Sequence, residues 1–543
     1  MPSWPPARPA LTKGERIAFV ALIVAVTVLY LARLSAGSRE LSADDEQCTK
    51  WPPYQTTRCY EMIPLDEVHY VPDARDVLRF GTESDTRVPT EDDGAFVVHP
   101  PVGKWFIAAG MAILGDNPVG WRVGNALAGI GGVLMMFAIA RRLFGSARWS
   151  LVAAGLLAID GLWFTMSRLA MLDISASVLT LAVVWGTVEI LARIREDRTR
   201  SVPLLATGLA AGLAIATKWS VGSFLVVAAL AITIAEASAW RKRRSHSIVY
   251  ELEAFGPDAL DAWAASVHRM QTRPRYGGPT RLAATLAAFS VLPMAVYVAT
   301  FAPWFVDGNR YLPPACEQRS PLIAAWACYQ GEQLSFHRNL EKYEPVAQED
   351  GDGTTPVIAS TPAHPYFGHG ISWAWLGRPV VHNYFSDGEG DQQRIVEVMG
   401  VPNPLVWWVG FGLALPWLVA RSRKDRTARI LLAFFAAGWL PYLLADLVAR
   451  PVFLFYATPL IPIVVLSASA LARRLFEGTP ERPPIPFVRG VVAGAVIGAL
   501  GIGLWMYPIH AGIELPPGDL GWNGRIWFTT DCSEPGIKVL CWI

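Results

Sequence analysis

Two adjacent carboxylates, Asp66 and Glu67, open the stretch "LDEVHYVPDARDVLRFG". They are followed in order by His99 and Lys104 in "HPPVGK", Arg122 in "NPVGWR", Arg168 and Asp173 in "SRLAMLD", and Lys218 in "ATKW". A positioned carboxylate can take the proton of a hydroxyl nucleophile as it attacks. Basic groups can hold an anion, arginine through its bidentate fork and lysine as a compact charge. Near a membrane such charges cost free energy unless they pair or bind something. Two readings therefore stand side by side. The acids and bases pair with one another, or they flank a charged substrate at the lipid surface. Residue by residue, Glu67 could support its loop and Lys104 could snorkel to the interface. Arg122 could pair with Asp66 or Glu67, Arg168 with Asp173, and His99 could cap a helix. Lys218, between two short apolar runs, is the weakest of the set.

The elements that must hold these residues are membrane helices. The 543-residue chain is 52% hydrophobic and 17% charged, whereas soluble domains carry roughly 25% charged residues. Several stretches run for about 18 to 22 residues with hardly a charge, enough to cross roughly 30 Å of hydrocarbon. Open sheets do not survive there, so the fold class is an all-α polytopic membrane protein. A net charge of +1 says little about partners, and nucleic acid is not expected. The 22 tryptophans suit membrane–water interfaces.

The first apolar run, 17–34, follows Arg8, Lys13 and Arg16 and lacks a small-residue cleavage site, so it reads as a retained span with the N-terminus inside. Further spans are expected near 119–140, 149–166, 170–192, 203–217, 220–239, 281–302, 402–420, 429–448, 452–472 and 488–508. That count of eleven puts every strongly basic connection on one side: Arg141, Arg142 and Arg148, Arg193 to Arg200, "RKRR" at 241–244, "RSRKDR" at 421–426 and "RR" at 473–474. All six cysteines fall on the other, as the close pairs Cys48 with Cys59, Cys316 with Cys328, and Cys532 with Cys541. Local disulfides are the economical pairing on an oxidising side, although six cysteines permit 15 connectivities. The short apolar piece 102–115 would invert this topology as a span. It reads instead as a helix in the first outer loop, apolar face dipped into the interface, started by "HPP". The chain divides into a cytoplasmic N-terminus 1–15, an N-terminal transmembrane module 16–302 containing the first outer loop 36–118, an outer loop 303–401, C-terminal helices 402–508 and an outer tail 509–543.

The succession "LDEVHY", "HPPVGK", "NPVGWR", "LLAIDGLWFTMSRLAMLD" and "GLAIATKW" resembles the protein O-mannosyltransferase family, among the C-type membrane glycosyltransferases. The resemblance covers roughly residues 15 to 240. It returns more loosely at "SWAWLGRPV", "MGVPNPLVWW" and "FLFYATPLIPIVVL". Eukaryotic members carry a β-trefoil insert in the later luminal loop. Residues 304–400 are too short and irregular for one, so the chain looks like the compact bacterial branch, and the family implies eleven spans.

The resemblance implies inverting transfer of mannose from polyprenyl-phosphate-mannose to Ser or Thr hydroxyls of secreted proteins at the outer face of the plasma membrane. By the family's motif Asp66 would be the base and Glu67 its companion. The donor phosphate or substrate would fall to His99, Lys104, Arg122, Arg168, Asp173 and Lys218. The leaving phosphate is already a stable anion, so one catalytic carboxylate suffices. No cofactor is expected beyond the lipid-linked donor, and a need for divalent metal is left open. Expected partners are the polyprenyl-phosphate sugar lipid, secreted polypeptides and membrane lipids, with association with the secretion channel as a further expectation.

In the second outer loop Trp373, Trp375 and Arg378 could line an acceptor groove. His337, His364, His369 and His382 invite a metal, but their spacing follows no dedicated zinc pattern and no metal site is assigned. Two rivals remain: a sister enzyme acting on a lipid or cell-wall glycan, and a transporter of a lipid-linked sugar. A transporter would place its charges near the bilayer midplane, whereas here they gather at span ends.

Overall fold

The computed structural model describes the chain except residues 1–3, 51–52, 64–66, 84–97, 254–277, 308–315, 317–318, 320, 340–342, 350–355, 363–365, 367, 449, 480–482, 529–541 and 543. It describes the backbone alone over 243–253, 343–349 and 356–362 and at 278, 339 and 391. The principal helices are α1 (Lys13–Leu31), α2 (Glu67–Phe80), α3 (Val102–Leu114), α4 (Pro118–Phe144), α5 (Ala147–Ala158), α6 (Gly161–Ser167), α7 (Asp173–Arg195), α8 (Ser201–Ile215), α9 (Gly222–Glu253), α10 (Gly278–Phe289), α11 (Val291–Thr300), α12 (Leu322–Asn339), α13 (Pro404–Arg421), α14 (Arg426–Leu447), α15 (Ile461–Glu477) and α16 (Pro486–Ala511). The rest is three antiparallel two-stranded pairs: β1 (Glu40–Leu41) with β2 (Cys59–Tyr60), β3 (Tyr343–Glu349) with β4 (Pro356–Pro362), and β5 (Val380–Asp387) with β6 (Arg394–Gly400). No closed sheet occurs among the described residues.

Nine helical stretches among the described residues are long and apolar enough to cross a membrane. The expected span 149–166 is bent by 63° where α5 gives way to α6, and as one span it makes a tenth. Asp160 holds that bend. It caps α6 through the Trp163 amide at 3.0 Å and accepts the Asn403 amide from the far side of the fold at 2.9 Å. The eleventh expected span corresponds to α8, which has only 15 residues, about 22 Å at 1.5 Å per residue. α1 shows how lipid-facing sides are written. Thr12 and Glu15 close a capping box at its start. Ile17, Val20, Val24 and Val28, three to four residues apart on one face, stay exposed.

The basic connections meet at one end. Arg142 pairs with Glu189 and Glu196 at 3.1 and 2.9 Å, Arg200 pairs with Glu236, and Arg141 donates to the Pro9 carbonyl. The disulfides Cys48–Cys59 and Cys316–Cys328 are both formed. Cys532 and Cys541 lie outside the described residues.

The short outer-loop helix is present as α3, but its apolar face is turned into protein. Ile107, Ala108 and Met111 are buried with Val71, Ala74, Trp121 and Leu172, while Ala109 and the C-terminal turn, with Ile113 and Leu114, are exposed. Glycines allow the close approach to α4. A Cβ at Gly120 would lie 2.0 Å from the Gly115 carbonyl oxygen, and one at Gly124 would lie 2.1 Å from that of Phe106. Any side chain there would lift α3, and Lys104 with it, off the bundle.

Candidate active site

α2 starts with Glu67, whose carboxylate accepts four hydrogen bonds. The donors are the Ile63 and Ala170 amides at 2.9 Å and Arg122 Nε and Nη2 at 2.8 Å. Burial alone pushes the Glu67 carboxyl up, but Arg122 and the two amides outweigh it and hold the group below its ordinary range. Arg122 is as fully engaged. Its Nη1 donates to the Leu34 and Ala36 carbonyls at 3.0 Å and its Nη2 also to Ser38 Oγ at 2.7 Å. A guanidinium has five N–H groups, and all five of Arg122 find acceptors inside the chain. Arg75, further along α2, pairs with Asp116 at 2.8 Å and so fixes that helix to the start of α4. Asp66 lies outside the described residues.

Lys104, wholly buried in the first turn of α3, donates to Glu83 at 2.8 Å and to the His99 carbonyl at 3.1 Å, with Asp73 also 3.1 Å away. Burial opposes its charge, but the two acids outweigh that and raise its pKa. Glu83 is raised, by burial first and then by the like charge of Asp73. Asp73 and Glu83 are partners that the sequence reading did not identify.

Arg168 and Asp173 do not meet. Arg168 donates to the Tyr30, Ala32 and Arg33 carbonyls at 2.8 Å, closing the C-terminal end of α1, where orphan carbonyls gather. Asp173 instead binds Lys218 Nζ at 2.8 Å, and its second oxygen has no hydrogen bond. The Lys218 ammonium also lies 4.8 Å from the ring centre of Tyr456 and 5.6 Å from that of Phe455.

Beside Lys218 sits a cationic group that sequence reading missed. Arg450, after the end of α14, donates to His337 Nδ1 at 3.3 Å, and His337 Nε2 donates to the Val98 carbonyl at 3.2 Å. His99 lies against His337, ring centres 5.2 Å apart. Among the described residues the Arg450 guanidinium makes no ion pair. Both imidazoles stay neutral. His99 is driven well below its ordinary value by burial and then Lys218, and His337 down to about 4 by burial and then Arg450. The signal available was positional: Arg450 is a lone arginine at a span end opposite the basic connections.

In the second long loop the described stretches 376–383 and 395–401 are buried. Trp373 is buried against Tyr442 and its carbonyl accepts the Trp407 indole N–H; Arg378 is buried, and Trp375 partly so. Its histidines are dispersed. His369 faces Asp446 at 3.3 Å and His337 belongs to the Arg450 group, while His364 lies outside the described residues. His382 is 1% exposed, and neither ring nitrogen has a hydrogen-bond partner among the described residues. Burial lowers it to about 3, opposed only by the Glu67 charge. Among the described residues one close group of metal-ligating types occurs, Cys316, Cys328 and Glu332, and its two cysteines are joined in a disulfide.

Residues 98–254 match the family described as dolichyl-phosphate-mannose-protein mannosyltransferase. A polyprenol-phosphate-mannose–protein mannosyltransferase of Mycolicibacterium smegmatis is 30% identical over 493 residues, covering 85% of this chain and 86% of that protein. A protein of the same description from Mycobacterium tuberculosis is 29% identical over 486 residues, covering 85% of each chain. In fold the chain is similar to the Saccharomyces cerevisiae protein O-mannosyltransferase Pmt1-Pmt2 complex bound to the sugar donor. There the TM-score is 0.63 at 14% identity, over 97% of this chain and 94% of that one.

Proposed function

Because the chain belongs to the polyprenol-phosphate-mannose–protein mannosyltransferase family, we propose that it transfers mannose from a polyprenyl-phosphate carrier to Ser or Thr hydroxyls of polypeptides. The site lies at the bundle end that carries Glu67, Lys218 and Arg450. Taking the arginine-rich end as cytoplasmic puts it at the outer face of the plasma membrane, in reach of secreted chains.

Asp66 is the base. As the acceptor oxygen forms its bond to the anomeric carbon, Asp66 takes the hydroxyl proton and the bond to the phosphate oxygen breaks. One displacement inverts the anomeric centre. The leaving group is a polyprenyl phosphate monoester, an anion that needs electrostatic support rather than a general acid. The observation that carries this reading is the unneutralised arginine Arg450, grouped with Lys218, His99 and His337. Arg450, Lys218 and His99 hold the donor phosphate, with His337, whose two ring nitrogens meet Arg450 and the Val98 carbonyl, setting the orientation of Arg450. Lys104 and Arg122 have their donors satisfied by the chain, Arg168 is turned to the last carbonyls of α1, and all three are positioning residues. Glu67, locked by Arg122, fixes the backbone beside Asp66. Asp173 tethers Lys218.

The test is transfer of radiolabelled mannose from polyprenyl-phosphate-mannose to a Ser/Thr-rich peptide by the purified protein in detergent. Mannosylated peptide from wild type and none from Asp66→Asn is the expected result. Mannose found on lipid alone would assign the chain to the lipid-acceptor reading.

A further inference from the structure

The opposite end of the same bundle holds a cavity of about 650 Å³, between the C-terminal end of α7, residues 227–242 of α9 and the start of α14. Its walls are apolar, built from Leu191, Val227, Leu230, Ile234 and Ile430, with Leu230 and Ile234 open to the lipid side. Its rim is basic: Arg195, Lys242, Arg426 and Arg429, against one acid, Asp197. Trp4 folds over it. The Arg426 guanidinium lies 5.9 Å from the Trp4 ring centre, and the buried Trp4 indole N–H has no acceptor.

Basic residues are expected at this end, and several have found acids, whereas Arg141 and Arg474 donate to backbone carbonyls and Arg148 lies over the Phe476 ring. Arg142 is paired with Glu189 and Glu196, Arg193 with Glu189, Arg200 with Glu236 and Arg473 with Glu477. Around the cavity several arginines without acids gather at one place. Among the described residues Arg195 and Arg426 make no ion pair, and Arg429 donates only to the Ser422 and Arg423 carbonyls. The charges of Arg195 and Arg429 both bear on Arg426. Three like charges and an orphan indole donor at the mouth of an apolar slot call for a ligand with an anionic head and hydrocarbon tails.

We propose that this cavity binds an anionic phospholipid of the adjoining leaflet. Its phosphate lies among Arg195, Arg426 and Arg429 and accepts from the Trp4 indole, and its acyl chains lie along Leu191, Val227, Leu230 and Ile430. Basic pockets between membrane helices on the basic side suit such head groups, and the volume falls in the usual range for a ligand site of roughly 300–1,000 Å³. The site is separate from the transfer chemistry and does not depend on it.

The experiment uses the delipidated full chain in detergent, with native mass spectrometry reading bound phosphatidylglycerol or phosphatidylcholine. Saturable binding of phosphatidylglycerol, with phosphatidylcholine weaker, is expected. The Arg426→Gln/Arg429→Gln double variant should bind at least about tenfold more weakly, each basic group near an anionic head being worth about 1 kcal/mol. Arg473→Gln, at the same bundle end but paired, should bind like wild type. Equal binding of both lipids overturns the proposal, as does equal loss in Arg473→Gln. Displacement of phosphatidylglycerol by equimolar polyprenyl phosphate overturns it in favour of the carrier. The arginines are exposed, so an unchanged elution profile of the variants checks that they fold.

Discussion

Glu67 and Arg122, 55 residues apart, form a closed unit in which the carboxylate accepts two amides and two guanidinium N–H groups while Arg122 places all five of its donors. It joins the start of α2 to the loop after α1, to α4 and to the turn before α7. Both side chains are about 1% exposed. Arg122→Lys keeps the charge but loses the fork and at least two of the carbonyl and hydroxyl contacts. Breaking such a buried pair from one side costs roughly 3–5 kcal/mol. Arg122→Lys and Glu67→Gln should therefore each lower the thermal midpoint in detergent clearly. An unchanged midpoint in either would deny the pair its structural role.

Arg450 and Lys104 should separate in kinetics. Arg450→Ala removes a cation from the departing phosphate and should lower transfer by about 10²–10³-fold, with the thermal midpoint nearly unchanged because the guanidinium has no ion pair to lose. Lys104→Ala removes the cation that Asp73 and Glu83 share in the interior and should lower the midpoint instead. The opposite pattern would move the phosphate site to Lys104.

Acid should weaken the outer loop. His382 has its folded pKa at about 3, below the ordinary value of about 6.5. The unfolded chain then binds more protons than the folded one between those values. Stability is full above about pH 6.5 and falls as the pH drops toward 3. His337, at about 4, acts in the same direction. Glu397, raised to about 7 by burial, acts in the opposite direction, so the comparison with a variant isolates the histidine. From pH 7.5 to pH 5 the wild-type thermal midpoint should fall relative to that of His382→Gln, and a difference that stays constant contradicts the assignment.

The Cys48–Cys59 and Cys316–Cys328 bridges close segments with sequence separations of 11 and 12. Loops of this size stabilise by roughly 2–4 kcal/mol. Non-reducing peptide mapping should recover both, and Cys532 with Cys541 as a third. Cys316→Ser should lower activity through α12, which carries His337. Activity equal to wild type in that variant would show that α12 holds its place without the bridge.

Much of this molecule was legible in its order of residues. Helix positions, the arginine-rich ends, the short outer helix and the two observed disulfides all follow from local composition and near-neighbour spacing. Each depends on transfer free energy or chain proximity, which a linear string records. Of the acids and bases marked in the sequence, Glu67 pairs with Arg122 and Asp173 with Lys218.

What the string cannot record is which cation is already satisfied. Arg122, Arg168 and Arg450 are chemically identical residues. Their difference lies in partners brought from elsewhere: Leu34, Ala36, Ser38 and Glu67 around Arg122, the last carbonyls of α1 around Arg168, and for Arg450 only a histidine. The same holds at the other end, where Arg142 met two glutamates and Arg426 met none. Hydrogen-bond satisfaction is a property of assembled neighbours many residues apart, so only the tertiary structure could decide which charges remain for a ligand.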